Sequence, residues 1–187
     1  MAISWWASAL EARLSQGDLI GENVFALARH PVVPLVKTSW NGQSAFRESE
    51  WTPDGNGTCD VLALARKGLA LVLTHSCELD KDRARGRVIV CPAVPLTTLP
   101  AEQQPEVFVQ KPWAKMPLPR VPGIGDFVAD LKHSVTIDRR TIDAAPRIAS
   151  MTRDARIRLR MQLIAFYTRL DPSKLADAMP DEDREGA

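Results

Sequence analysis

The chain has 187 residues, enough for one domain with a proper core or one domain with insertions. Hydrophobic residues make up 45% and charged residues 25%, the balance of a globular protein, which excludes global disorder. The formal net charge is +1, so any contact with nucleic acid has to come from a local basic patch and not from the field of the whole molecule.

An N-terminal segment, residues 1–16, is predicted to be helical over 2–15. Ile3, Trp6, Leu10 and Leu14 recur at helical spacing, and Gly17 sits where a helix stops. Gly17-Asp18-Leu19-Ile20 reads as the entry to a first strand. Leu35–Trp40 and Gln43–Glu48 flank Asn41-Gly42, the dipeptide that supplies both positive-φ residues of a type I′ turn, so a β-hairpin is expected. Pro53-Asp54-Gly55-Asn56-Gly57 is a strong turn signal. Val61–Ala65, Leu69–Thr74 and Val88–Val94 are short apolar runs bounded by turn residues and read as central strands. Glu106–Gln110 is read as a further strand. Residues 111–125, rich in proline and glycine, are expected to form a long irregular loop. Phe127–Leu131 and Ser134–Ile137 carry the last strand signals. Residues 152–170 form the clearest helix: Thr152 can cap it, Ile157, Met161 and Ile164 share one face, and Arg153, Arg156 and Arg160 share another. Residues 171–187 read as a short helical turn and a frayed acidic tail.

Attachment to a membrane is not expected. The first residues carry no basic n-region, and the longest apolar runs fall far short of the ~20 residues a spanning helix needs. Three cysteines make no disulfide framework, and a cytoplasmic location is the simplest reading.

The order of segments supports a family resemblance. Gly17-Asp18-Leu19-Ile20 is followed by Leu69-Ala70-Leu71-Val72-Leu73-Thr74 and then by Val88-Ile89-Val90-Cys91-Pro92. Ala129-Asp130-Leu131-Lys132-His133-Ser134 comes next, and Arg147-Ile148-Ala149-Ser150 leads into the final helix. In this order and spacing, over residues 17–170, the chain resembles the MazF/PemK (CcdB/Kid) growth-inhibitor toxins, with one large insertion before residue 60 and another in the proline-rich loop. The resemblance implies a single domain, mainly β with α: an SH3-like antiparallel β-barrel with an N-terminal helix and a C-terminal covering helix. It also implies a homodimer of a toxin–antitoxin setting, an antitoxin or other protein partner, and single-stranded RNA as substrate or ligand. For an active member it implies endoribonuclease chemistry without a metal or other cofactor, in which the ribose 2′-hydroxyl attacks the neighbouring phosphate. The sequence departs from the family at two places. Gly68 stands where an arginine is expected, with Arg66 and Lys67 just before it. Val94 and Pro95 stand where a hydroxyl is expected, with Thr97 and Thr98 just after. Asp130 matches an aspartate that some members use.

The candidate catalytic residues are accordingly His75 or Asp130 as base, and Arg66, Lys67 or Arg140 to stabilise phosphorane charge. Cys77, in Thr74-His75-Ser76-Cys77-Glu78-Leu79-Asp80, is a candidate nucleophile beside His75; the plainer alternative is a strand end whose cysteine packs as a small hydrophobe. Arg83, Arg85, Arg87, Arg139 and Arg140 are the candidate nucleic-acid contacts, although interleaved aspartates also suit an ordinary solvated surface. Cys59, His75, Cys77 and Cys91 are soft ligands on neighbouring segments, but the chain has no Cys-x-x-Cys knuckle and no metal is assigned. Trp5, Trp6, Trp40, Trp51 and Trp113 lie outside the central strands and are expected to cover the barrel ends. A non-catalytic binding or regulatory module that kept the barrel and lost the active site is the competing reading.

Overall fold

The computed structural model describes residues 4–26, 33–40, 43–48, 61–62, 65–81, 86–109 and 113–169. The protein is mainly β with a few helices. In chain order the elements are β1 (Asp18–Ala26), β2 (Val33–Trp40), β3 (Gln43–Glu48), β4 (Val61–Leu62), β5 (Ala65–Val72), α1 (Ser76–Lys81), β6 (Arg87–Pro95), α2 (Gln104–Phe108), β7 (Lys115–Val121), β8 (Gly125–Asp130), β9 (Val135–Asp138), α3 (Arg139–Ala144), β10 (Arg147–Ser150) and α4 (Arg153–Thr168). The chain divides into two compact units, Met1–Asn23 together with Gly68–Ala187, and Val24–Lys67. No helix among the described residues is long and apolar enough to cross a membrane.

The larger unit is built on a sheet of order β10-β1-β5-β6-β8-β7, with β9 also paired to β6. Its curl originates in β6. Arg87–Val90 pair with β9, whereas Ala93–Pro95 pair with β8, and both partners are antiparallel to β6. Two strands therefore share one edge in succession. Both faces of β6 are covered along this stretch: Val88 and Val90 are buried on one face, Cys91 and Ala93 on the other, which faces the core cluster. The result is a half-barrel. Its concave core gathers Leu19, Leu71, Cys91, Met116, Leu118 and Met151, with Ala155 and Leu159 of α4 packed into the same cluster. Ala70 and Val72, on the other face of β5, are fully buried as well. This explains why the central runs read as continuously apolar.

The smaller unit is a three-stranded antiparallel sheet of order β3-β2-β4. Trp40 pairs with Gln43, which leaves the two residues Asn41-Gly42 between the strands, as the hairpin signal requires. Within the strand expected over Val61–Ala65, Val61–Leu62 pairs with β2, Ala65 belongs to β5, and residues 63–64 lie outside the described residues.

Four expectations are corrected. Residues 4–15 contain no helix. Trp6 instead bridges Met151 in antiparallel fashion, the Ala7 N–H donates to Ser150 O at 2.9 Å, and the Trp6 indole donates to Pro119 O at 2.7 Å. These tertiary partners override the helical spacing, and Trp5 and Trp6 pack half-buried on the core. Gly17 immediately precedes β1 with φ at +85°, where a Cβ would lie 2.9 Å from the Met151 sulfur, so only glycine fits. Second, Glu106–Gln110 is not a strand: α2 covers Gln104–Phe108, with Pro105 in its first turn, a position proline favours. Third, the proline-rich segment 111–125 contains β7. That strand pairs only with β8 at the sheet's edge, where Pro117 and Pro119 are tolerated because one side needs no donors. Fourth, α4 buries Ala155, Leu159, Gln162 and Ala165, while Ile157 and Ile164 are exposed. Small alanines let this face approach the sheet closely. Gln162 is accommodated there because its amide donates to Trp113 O at 2.7 Å. The expected Thr152 cap is present, its hydroxyl accepting from the Ala155 N–H at 3.3 Å.

Candidate functional site

The chain that leaves β5 is tied at once to β6. The Leu73 and Thr74 amides both donate to Ile89 O, and the Ile89 N–H donates back to the Thr74 hydroxyl at 2.7 Å. His75 follows. Its carbonyl accepts from the Glu78 and Leu79 amides and so opens α1, where the sequence suggested only a strand end. This turn brings His75 and Cys77 together: Nδ1 lies 2.9 Å from Sγ and also accepts the Cys77 backbone N–H at 3.3 Å. The tautomer that fits an Nδ1 accepting the backbone amide carries its proton on Nε2, and it leaves the thiol as the donor of the pair. Both side chains are exposed, and Glu78 lies beside the sulfur at 3.9 Å.

Three arginines reach the same end of the sheet. Arg87 opens β6 directly opposite Asp138 of β9. Asp138 caps α3 by accepting the Arg140 N–H at 2.8 Å, and the Arg139 N–H donates to Gly86 O. The Arg139 guanidinium binds Leu79 O of α1 at 3.2 Å and Asp143 at 2.7 Å. Helices α1 and α3 are thereby linked, and His75, Cys77, Arg87, Arg139 and Arg140 share one end of the half-barrel. Arg83 and Arg85, and the Arg66 side chain, lie outside the described residues.

Asp130 and Lys67 are elsewhere. Lys67 is exposed near the start of β5, at the opposite end of that strand from His75. Asp130 continues the β8 register to the level of Pro92. That point is three residues along β6 from Ile89 and on the opposite edge from β5, so about 10 Å along and about 10 Å across separate it from the start of the His75 turn. Its carboxylate takes Lys115 Nζ at 2.5 Å, His133 Nδ1 at 3.1 Å and the Lys132 N–H at 3.2 Å. Burial alone raises its pKa, but the bonds and charges of Lys115 and His133 outweigh that and hold it below the usual aspartate value. Asp130 is an ionised structural group here, not a base poised beside His75.

Cys91 is fully buried in β6, and burial, together with the nearby Asp130 charge, pushes its thiol well up. No group of three histidine, cysteine or acidic side chains suited to a metal occurs among the described residues; Cys59 lies outside them.

The sequence reading missed two polar features. Asp18 is completely buried, accepting the Ser15 N–H at 2.9 Å and facing Arg147 at 3.4 Å; burial raises its pKa against these partners. The second feature surrounds Gln16, whose amide donates to Leu73 O at 2.8 Å and accepts from Arg160 at 2.9 Å, while Arg156 pairs with Glu11. Two arginines of the expected basic helix face are thus engaged with the N-terminal segment. The Gly-Asp signal at residues 17–18 was visible in the sequence; the pairing of Arg147 with Asp18, 129 residues apart, had no local signal. Comparison with protein-family models, with curated proteins and with solved structures gives no match to this chain.

Proposed function

We propose that this chain is a divergent MazF/PemK-like protein with an SH3-like barrel, and that it binds single-stranded RNA at the end of the sheet formed by α1, the start of β6 and the start of α3. The observation that carries this reading is the gathering of Arg87, Arg139 and Arg140 beside the exposed His75–Cys77 pair. These guanidiniums, interleaved with Glu78, Asp138 and Asp143, are the local cations that a chain of nearly neutral net charge would use for phosphate contacts. Binding without cleavage is the form the geometry favours, because Asp130 is held by Lys115 and His133 and lies away from His75. In the family's manner the chain pairs with a second copy and with an antitoxin-like partner.

Fluorescence anisotropy with a labelled single-stranded RNA tests this. Arg87→Glu with Arg140→Glu should weaken binding by about 10-fold or more, as expected for lost phosphate contacts. Unchanged affinity in that variant removes the assignment of the site. The catalytic form is tested on the same RNA. Cleavage that disappears with His75→Ala, by about 10²-fold or more, would replace the binding module with an endoribonuclease.

A further inference from the structure

Beside the proposed RNA-binding end, and sharing Arg139 with it, lies an open cleft of about 480 Å³, within the range of roughly 300–1,000 Å³ typical of small-molecule sites. Buried Leu14, Leu79 and Ile142 give it an apolar wall, and half-exposed Leu10 extends that wall at the surface. Arg13, Arg139 and Arg147 line it with Asp143, and buried Asp18 faces Arg147, so three guanidiniums stand against two carboxylates. The Arg139 and Arg147 side chains are only 16% and 24% exposed.

The donors of these two guanidiniums decide the ligand chemistry. Arg139 uses Nε on Asp143 and Nη1 on Leu79 O. Arg147 uses Nη1 alone, on Arg13 O at 2.9 Å and Asp18 at 3.4 Å. Nη2 of Arg139, and both Nε and Nη2 of Arg147, have no partner among the described residues. Nε and Nη2 form the side of a guanidinium that binds an oxyanion through two parallel hydrogen bonds. Two arginines in one cleft suit a tetrahedral phosphate, which spreads three oxygens, better than a planar carboxylate with two. The apolar wall calls for a flat or apolar body attached to that phosphate, and a guanidinium can also stack on such a body.

We propose that this cleft binds a small aromatic or heterocyclic monophosphate, the phosphate on Arg147 and Arg139 and the body against Leu14, Leu79 and Ile142. Calorimetric titration of the full chain with adenosine 5′-monophosphate, adenosine and inorganic phosphate tests it. The monophosphate should bind at least about 10-fold more tightly than either fragment, because only it engages both halves of the cleft. Arg147→Lys keeps the charge and removes the fork, and should weaken binding about 5-fold or more. Arg147 also serves buried Asp18, so a second variant guards against a folding effect. Ala12 is an exposed residue of the cleft, and Ala12→Glu places a carboxylate there without touching the core. It should weaken the monophosphate about 10-fold and leave the melting temperature unchanged. The proposal is overturned if the monophosphate does not bind at about 10 mM, if it binds no better than inorganic phosphate or adenosine, or if Ala12→Glu leaves its affinity unchanged.

Discussion

His75 Nδ1 accepts the Cys77 amide and lies 2.9 Å from the Cys77 sulfur, and this makes Cys77 chemically unlike Cys91. The first thiol is exposed, with an imidazole nitrogen placed to take its proton. The second is enclosed on every side in β6, and its thiolate is disfavoured by burial and by Asp130. Alkylation follows thiolate character and access. With iodoacetamide at neutral pH, Cys77 should react about 10²-fold faster than Cys91 or more, because Cys91 reacts only when the sheet opens. His75→Ala should slow Cys77 and leave Cys91 alone. Peptide mapping by mass spectrometry reads both rates. Equal labelling of the two would mean that the His75–Cys77 contact has no chemical consequence.

Among the elements, α4 separates what periodicity can show from what it cannot. Its limits and its Thr152 cap were legible, because a capping residue followed by a long run of helix formers is a local signal. Its buried face was not. The most apolar stripe, Ile157 with Ile164, faces outward, and the inward stripe runs through alanine, leucine and glutamine. Which stripe is inside depends on Trp113 O and on the sheet surface, and those partners are distant in sequence. The same reason hid α2, β7 and the N-terminal bridge, whose identities are set by edge position and by partners such as Ser150 and Pro119. Of the candidate site, the closeness of His75 and Cys77 in sequence was visible, but the turn opening α1 that brings them together was not. The separation of Asp130 was not, since it depends on which edge of β6 each strand takes. Leu159→Ala should therefore destabilise the protein by about 2–5 kcal/mol, whereas Ile157→Ala should cost about 0.5 kcal/mol or less. Urea denaturation measures both, and a larger loss at Ile157 would reverse the assignment of the face.

At the scale of the whole chain, the smaller unit leaves and rejoins the larger one through two adjacent strands. The Gly17 N–H donates to Val72 O, so the start of β1 lies beside the end of β5 and the two neighbours run antiparallel. The chain passes between the units after Asn23, within β1, and before Gly68, within β5. In chain order, residues 24–67 connect these two neighbouring strands. A loop in a β-hairpin can be changed in length at small free-energy cost, since closure entropy grows only slowly with length. The core cluster, the His75 turn, the Arg87–Arg139 end and the cleft all belong to the larger unit. Replacing residues 24–67 by a short Asn-Gly turn should leave a protein that unfolds cooperatively, with a smaller denaturant slope in keeping with the shorter chain. Its affinity for single-stranded RNA should stay within about 3-fold of the full chain, because the phosphate contacts assigned above are retained. A shortened chain that lacks a cooperative transition would show that the larger unit needs the smaller one to fold. One that folds but loses RNA would move the RNA site out of the half-barrel and into residues 24–67.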